Sequence, residues 1–314
     1  MNRRMVCILT FAGGLAPCCT DLVGAQPTGP AAAQSEPQTR PVDGIRDNSF
    51  FIEEAYNQPP GVVQHIFTGR FGADHRGEPS TRSLELSFTQ EWPVFGQSHQ
   101  LSYTVPYSFI DPDGEHESGL GDVLLNYRYQ LFNDEGAFPA FSPRFSIIFP
   151  SGDDERGFGA GTVGYQINLP VSKTVSDRMY VNFNAGLTHV PDADIRLSDG
   201  DRSFGRDLFS YSLGGSVIYA VTEEFNLLLE VVWNSNEGLQ EKEKTRRGRK
   251  FHYADRDRSE DVVISPGLRW AINLPGDLQI VPGLAFPIGL SDDAIDYGVF
   301  FYLSIEHPFM PARK

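Results

Sequence analysis

The chain has 314 residues, a formal net charge of −15 and a mean hydropathy of −0.28, with 40% hydrophobic and 12% aromatic residues. No apolar run reaches the roughly 18 residues that a transmembrane helix needs, which excludes a helical membrane protein. The acidic balance argues against a nucleic-acid partner, and the many aromatic residues argue against disorder. A large soluble β protein or a membrane β-barrel remains.

Residues 1–25 have the pattern of a secretory signal peptide. A basic start at Arg3 and Arg4 precedes an apolar stretch, and small residues ending at Ala25 suit signal peptidase. A lipoprotein is the alternative, because the residues before Cys18 resemble a lipobox, but Pro17 disfavours it. We therefore expect a mature chain without disulfides or cysteine-ligated metal, since every cysteine lies in this leader: Cys7, Cys18 and Cys19.

The composition divides the rest of the chain into four parts. Residues 26–46 are rich in Pro, Ala, Gln and Ser and indicate a flexible periplasmic linker. Residues 47–60 form a short segment, for which we expect a helix capped near Ser49 and ended by two prolines. Residues 61–309 carry strand patterns, and residues 310–314 form a C-terminal tail.

The strand patterns are regular and long. Leu101, Tyr103 and Val105, for example, alternate with small polar residues, which places apolar side chains on one face of a strand. About twelve such segments of roughly 9 to 13 residues are present, longer than most globular strands and as long as a bilayer-crossing strand. They begin near Val62, Arg82, Gln100, Asp122, Ala140, Thr162, Arg178, Leu208, Glu224, Asp261, Asp277 and Tyr297.

The connections between these segments alternate in length. Every second connection is mostly short, and the others are longer and polar, with the longest predicted loops at residues 191–206 and 235–260. Outer-membrane barrels have short periplasmic turns and long outside loops. The sequence therefore predicts an all-β protein, a transmembrane antiparallel β-barrel of about 12 strands in the bacterial outer membrane.

The polar parity of the strands supplies candidates for the barrel lumen. A membrane barrel presents apolar side chains to lipid and polar side chains to its interior. Residues of both charge signs occur in the polar parity and are suited to pairing across a narrow lumen. The candidates are Arg82, Glu85, Gln100, Arg128, Arg144, Gln166, Asn182, Asn184, Asn226, Glu230, Arg269 and Gln279.

Three stretches carry a resemblance to a known family. Residues 47–58 (DNSFFIEEAYNQ), residues 119–122 (GLGD) and residues 149–153 (FPSGD) resemble features of the outer-membrane transporter-like family named for the meta-pathway of phenol degradation. The resemblance extends over most of residues 47–309. It implies an outer-membrane barrel that assists the passage of small molecules, and it identifies no substrate.

The sequence thus predicts a passive outer-membrane channel for small solutes, with hydrophobic and aromatic compounds as candidates. We expect outer-membrane lipid, lipopolysaccharide and the barrel assembly machinery as partners, the last because an aromatic residue, Phe309, ends the final strand in phase. We further hypothesise that the segment before the first strand plugs the periplasmic mouth. Its candidate residues are Phe50, Phe51, Glu53, Glu54 and Tyr56.

The sequence leaves other functions open. A structural or adhesive barrel without transport is the main alternative, and a lipid hydrolase using His189 is a lesser one. Residues 159–164 match a dinucleotide-binding pattern but precede a strand, not a helix. Residues 111–117 suit calcium only weakly, and residues 241–258 offer arginines to lipopolysaccharide phosphates. The sequence predicts no catalytic residue, no metal site and no cofactor.

Overall fold

The computed structural model describes residues 5–6, 45, 49–74, 81–112, 116–197, 202–246 and 249–309. Twelve antiparallel strands in this part of the chain close into one barrel, which confirms the predicted fold. The strands are β1 Val62–Asp74, β2 Thr81–Pro93, β3 His99–Pro112, β4 Glu117–Leu120 and Val123–Tyr129, β5 Ala140–Phe141 and Arg144–Phe149, β6 Gly164–Asn168 and Val171–Ser176, β7 Met179–Arg196, β8 Arg202–Ala220, β9 Phe225–Arg246, β10 Arg249–Trp270 and Ile272–Leu274, β11 Leu278–Ala285 and Ile288–Gly289, and β12 Tyr297–Pro308.

The first and last strands close the barrel. They run antiparallel, from Val62 opposite Pro308 to Ala73 opposite Tyr297. The remaining strands pair with their neighbours in the chain. A closed sheet has no free edge, so its backbone N–H and C=O groups are satisfied without water.

The two faces of the sheet have opposite character. On β8, Tyr211, Leu213 and Val217 point outward and are 43–45% exposed, whereas Ser212 and Ser216 point inward and are 3–4% exposed. The same inversion holds around the barrel, with large apolar residues exposed and polar residues buried. A barrel folded in water would bury the apolar face instead, so this distribution fits a bilayer as the surrounding solvent.

Outward aromatic side chains collect at the end of the barrel that carries the short turns. Phe88 and Trp92 on β2 each lie 5.9 Å, between ring centroids, from Tyr103 on β3. The ring of His99 lies 4.9 Å from that of Tyr129. Such a belt is typical of the membrane–water interface of a transmembrane barrel.

The outer ends of β9 and β10 differ from the prediction. Residues 235–260 are expected as the longest loop, but the two strands stay paired almost to their hairpin tip. Opposite charges pair across this ladder, as in Lys242 Nζ with Asp255 Oδ2 and Lys250 Nζ with Glu243 Oε2, each at 2.9 Å. Cross-strand ion pairs stabilise a solvent-exposed sheet, so the charged stretch extends the strands.

The expected loop at residues 191–206 is likewise largely strand, because β7 continues to Arg196 and β8 begins at Arg202. The β5–β6 connection contains a short 3-10 helix, Asp154–Arg156. A two-residue strand, Met5–Val6, pairs with Leu239 and Gln240 in the second half of β9. Among the described residues, no helix has the length and apolar character needed to cross a membrane.

We predict that Leu229→Arg destabilises the folded barrel by about 2 to 4 kcal/mol, because Leu229 is outward-facing, 46% exposed and near the middle of its membrane-crossing stretch. The free energy of unfolding in lipid vesicles measures the effect. Asp177→Arg, in an exposed turn, is the control and should change stability by less than about 0.5 kcal/mol. Equal destabilisation by both substitutions would contradict the assignment of the outward face.

Candidate functional site in the barrel lumen

Residues 49–58 lie inside the barrel, and we call them the inner segment. Ala55, Asn57 and Gln58 are fully buried. No helix forms within these ten described residues, so the expected capped helix is wrong. The physical reason is that the barrel wall binds the backbone N–H groups that a helix would use internally.

The wall holds the inner segment chiefly through its backbone. Five side chains on different parts of the wall accept hydrogen bonds from six backbone N–H groups of the segment, at donor–acceptor distances of 2.8 to 3.2 Å. In each case a side-chain oxygen takes the place of a strand partner, so the segment is attached without joining the sheet. The acceptors are Glu230 for Phe51 and Ile52, Asn184 for Glu53, Ser172 for Ala55, Gln130 for Asn57 and Gln100 for Gln58.

Arg144 on β5 makes a two-pronged contact with the carboxylate of Glu53. Its Nε and one terminal nitrogen donate to the two carboxylate oxygens at 3.0 and 2.7 Å. Burial raises the pKa of Glu53, but the positive charges of Arg144 and Arg128 outweigh it and hold that pKa below its usual value. Glu53 therefore stays ionised in the lumen and anchors the segment by charge as well as by hydrogen bonds.

Arg128 on β4 binds the second half of the inner segment. Its guanidinium donates to Asn57 Oδ1 at 2.8 Å and to the backbone carbonyls of Tyr56 at 2.9 Å and Glu54 at 3.2 Å. The side chain is 3% exposed, so the loss of the segment would leave a buried guanidinium with fewer partners. Charged groups in that position are costly, which favours an occupied lumen.

An apolar part of the lumen receives the aromatic residues of the inner segment. The Phe50 ring lies 5.5 Å from that of Phe300 and 5.3 Å from that of Tyr302, and the Phe51 ring lies 4.7 Å from that of Phe300. A Cβ atom built on Gly283 would lie 2.6 Å from the Phe50 ring. The absence of a side chain at this inward position of β11 therefore makes the space for Phe50.

The structure places nine of the twelve lumen candidates on the inward face with little or no exposure: Gln100, Arg128, Arg144, Gln166, Asn182, Asn184, Asn226, Glu230 and Arg269. Two more, Glu85 and Gln279, point inward nearer the two mouths. Glu85 accepts from Arg70 Nε at 2.9 Å, and Gln279 donates to Asn273 Oδ1 at 2.7 Å.

Arg82 is a correction, because the prediction that it lines the lumen is wrong. It is exposed on β2, in the outward parity of Leu84 and Leu86. Arg82 and Glu85 are three residues apart, and a regular strand places such residues on opposite faces. Glu85 is the inward residue of the two, as its ion pair with Arg70 shows.

The five plug candidates all belong to the inner segment. Besides the contacts already described, Glu54 Oε1 lies 3.6 Å from the Arg269 guanidinium, and Tyr56 donates from its hydroxyl to Asp134 at 3.4 Å. Burial and the nearby Asp134 and Glu54 charges raise the pKa of Tyr56, which keeps its hydroxyl protonated and able to donate.

Three residues that contact the inner segment are absent from the predicted set. Gln130 shares the inward parity of Arg128, so the strand period alone points to it. The serines Ser142 and Ser172 carry no distinguishing signal, although Ser142 donates to Ala55 O at 2.7 Å. Ser142 lies in the interruption of β5 just before Pro143, where the ladder bonding pauses.

The structure gives a different outcome for each of the minor sequence motifs. Residues 159–164 lead into β6 at Gly164 without a helix, as predicted. The centre of residues 111–117 lies outside the described residues. His189 stacks on Phe209 with a ring distance of 4.5 Å, and its Nε2 makes no hydrogen bond within the described part of the chain. Within that part, no group of three or more His, Cys, Asp or Glu side chains is arranged for a metal ion.

Among known proteins, the chain is similar to solved structures and to no family model or curated sequence. No protein-family model and no curated protein sequence matches the chain. An outer-membrane channel from Pseudomonas putida F1 is similar with a TM-score of 0.58 at 14% identity, over 81% of this chain and 97% of that one. The NanC porin aligns at a TM-score of 0.43 and 10% identity (78% and 98% covered), and a mutant of the monoaromatic hydrocarbon channel TodX at 0.41 and 9% (80% and 91%).

The likeness to the Pseudomonas putida channel shows a shared fold, namely that of an outer-membrane barrel. Membership of the family named for phenol degradation stays a prediction.

We predict that Glu53→Gln and Arg144→Met each speed the release of the inner segment by roughly tenfold to hundredfold, because each breaks a charged hydrogen bond of about 1.5 to 3 kcal/mol. A cysteine at the buried Ser49 (3% exposed) reports release through its labelling rate, in a chain whose native cysteines are replaced by serine. The double variant should exceed neither single variant by much, because both remove the same contact. Fully multiplicative effects would contradict the pairing.

We also predict that Gly283→Ala speeds labelling of the same cysteine, because its new methyl group overlaps the Phe50 ring. Gly215→Ala is the matched control. Gly215 is also a strand glycine, but it lies in the outward parity of Leu213 and Val217, and its added Cβ would meet only Asn182 O, at 3.4 Å. Equal labelling rates in the two variants would show that Phe50 does not depend on this space.

Proposed function

We propose that the protein is an outer-membrane channel for the passive passage of small solutes and that the inner segment is its movable plug. The observation that carries the proposal is how the segment is attached. Side chains of the wall bind its backbone, while the twelve-strand ladder closes without it. The segment can leave the lumen without breaking a strand pair, so opening and barrel stability are separable.

The lumen surface that the plug covers supports a solute of mixed character. One side is polar, with Arg128, Arg144 and Asn184, and the other is apolar, with Phe300 and Tyr302. When the plug has left, an aromatic or other small apolar solute with a polar group can contact both sides of the space that it occupied. We therefore propose hydrophobic and aromatic small molecules as the solute class, ahead of sugars.

A reversible lock tests this function. The hydroxyl oxygens of Ser49 on the plug and Ser216 on β8 lie 2.9 Å apart, so cysteines at the two positions would place their sulfur atoms side by side for oxidation. We predict that oxidised Ser49→Cys/Ser216→Cys in liposomes loses most solute flux relative to its reduced form, measured by swelling with aromatic, fatty and sugar solutes. The two single variants, treated with the same oxidant, should keep their flux.

The outcomes distinguish the candidate roles. Flux that is unchanged by oxidation would contradict the plug, although not the channel. A second outcome is that no solute passes through either the reduced protein or a variant that lacks residues 47–58. This result would overturn the channel and favour a structural envelope barrel. Partnership with lipopolysaccharide and the assembly machinery stays a proposal that follows from the outer-membrane location.

A further inference from the structure

The strands that close the barrel each carry a histidine at the level of the outward aromatic belt. His65 on β1 and His307 on β12 face each other on the outward side, with their Nε2 atoms 3.2 Å apart and their ring centroids 5.3 Å apart. Both side chains are partly exposed, so ions in the interfacial water can reach them. The ring of Phe88 stacks beside His65 at 6.3 Å.

The second nitrogen of His307 determines what its Nε2 can do. His307 Nδ1 lies 3.0 Å from the carbonyl oxygen of Pro308. A carbonyl oxygen only accepts, so Nδ1 carries the proton, and in the neutral ring Nε2 then presents a lone pair toward His65. Metal-binding histidines are commonly fixed in this way, with one ring nitrogen donating to a backbone carbonyl and the other free to coordinate.

We propose that His65 and His307 form a site for a divalent transition-metal ion of the zinc class that links the first strand to the last. A metal ion placed about 2.0 to 2.1 Å from each Nε2 would subtend an N–metal–N angle of about 100°, close to tetrahedral. Binding requires only that His65 hold its proton on Nδ1 instead of Nε2. Water occupies the remaining positions on the exposed side.

The chemistry and the position define the ligand and its effect. Imidazole nitrogens favour zinc, copper and nickel, whereas magnesium and calcium take oxygen ligands. The two residues are 242 positions apart in sequence and meet only where the barrel closes. An ion bound there stabilises the closed form, because an open or unfolded barrel does not bring the two rings together.

Zinc titration of the full-length folded barrel, stripped of metal and held at neutral pH in detergent, tests the site. We expect calorimetry to show one zinc ion per chain and no heat with magnesium. His65→Gln and His307→Gln should each weaken zinc binding at least tenfold. His99→Gln is the matched control, because His99 lies in the same belt with its Nδ1 2.6 Å from a tyrosine hydroxyl, that of Tyr127, and should bind zinc as the unaltered protein does.

A second measurement covers effects of the substitutions on folding. Zinc should raise the temperature at which the unaltered barrel loses its compact gel mobility, and should not do so for either His65→Gln or His307→Gln. Zinc binding of equal strength in the unaltered protein and in a variant that carries both His65→Gln and His307→Gln would overturn the site. So would an equal loss in His99→Gln, because it would assign the effect to surface histidines in general.

Discussion

The structure depends on one constraint, which is that every backbone polar group in an apolar surrounding needs a partner within the protein. A sheet meets this requirement only if it closes, and here the closure is the pairing of β1 with β12. Once the outer face is given to apolar side chains, the polar half of each strand must point inward. The lumen therefore holds many buried polar side chains that need hydrogen-bond partners.

The inner segment supplies hydrogen-bond partners for these inward-facing polar groups. Glu230, Asn184 and Gln100 accept its backbone N–H groups, and Arg128 and Arg144 donate to its carbonyls and carboxylate. The wall and the segment satisfy each other's hydrogen-bonding groups, although the segment forms no strand pair with the barrel. This division explains how a rigid barrel can hold a removable element, because the ladder and the lumen contacts use different atoms.

Much of this was accessible from periodicity. The barrel was predicted from the period of two, the length of the segments and the alternation of short and long connections. The polar parity located Arg128, Arg144 and Glu230 inside it. Residue type is a poor guide where charged residues occur on both faces of a strand. Arg82 is charged like the lumen residues, yet its position relative to Glu85 requires the opposite face. The charged stretch at residues 235–260 reads as a loop by composition, yet its charges pair across a long hairpin.

The sequence by itself determined that the chain forms a closed antiparallel barrel with an apolar outer face, because those properties follow from the side-chain period and the lengths of the strands. Only the tertiary structure decided which residues meet in the lumen. The contacts of Glu53 with Arg144 and of Phe50 with the space above Gly283 join positions far apart in the chain. So does the pairing of His65 with His307. Their proximity depends on strand register and closure, which no local pattern encodes.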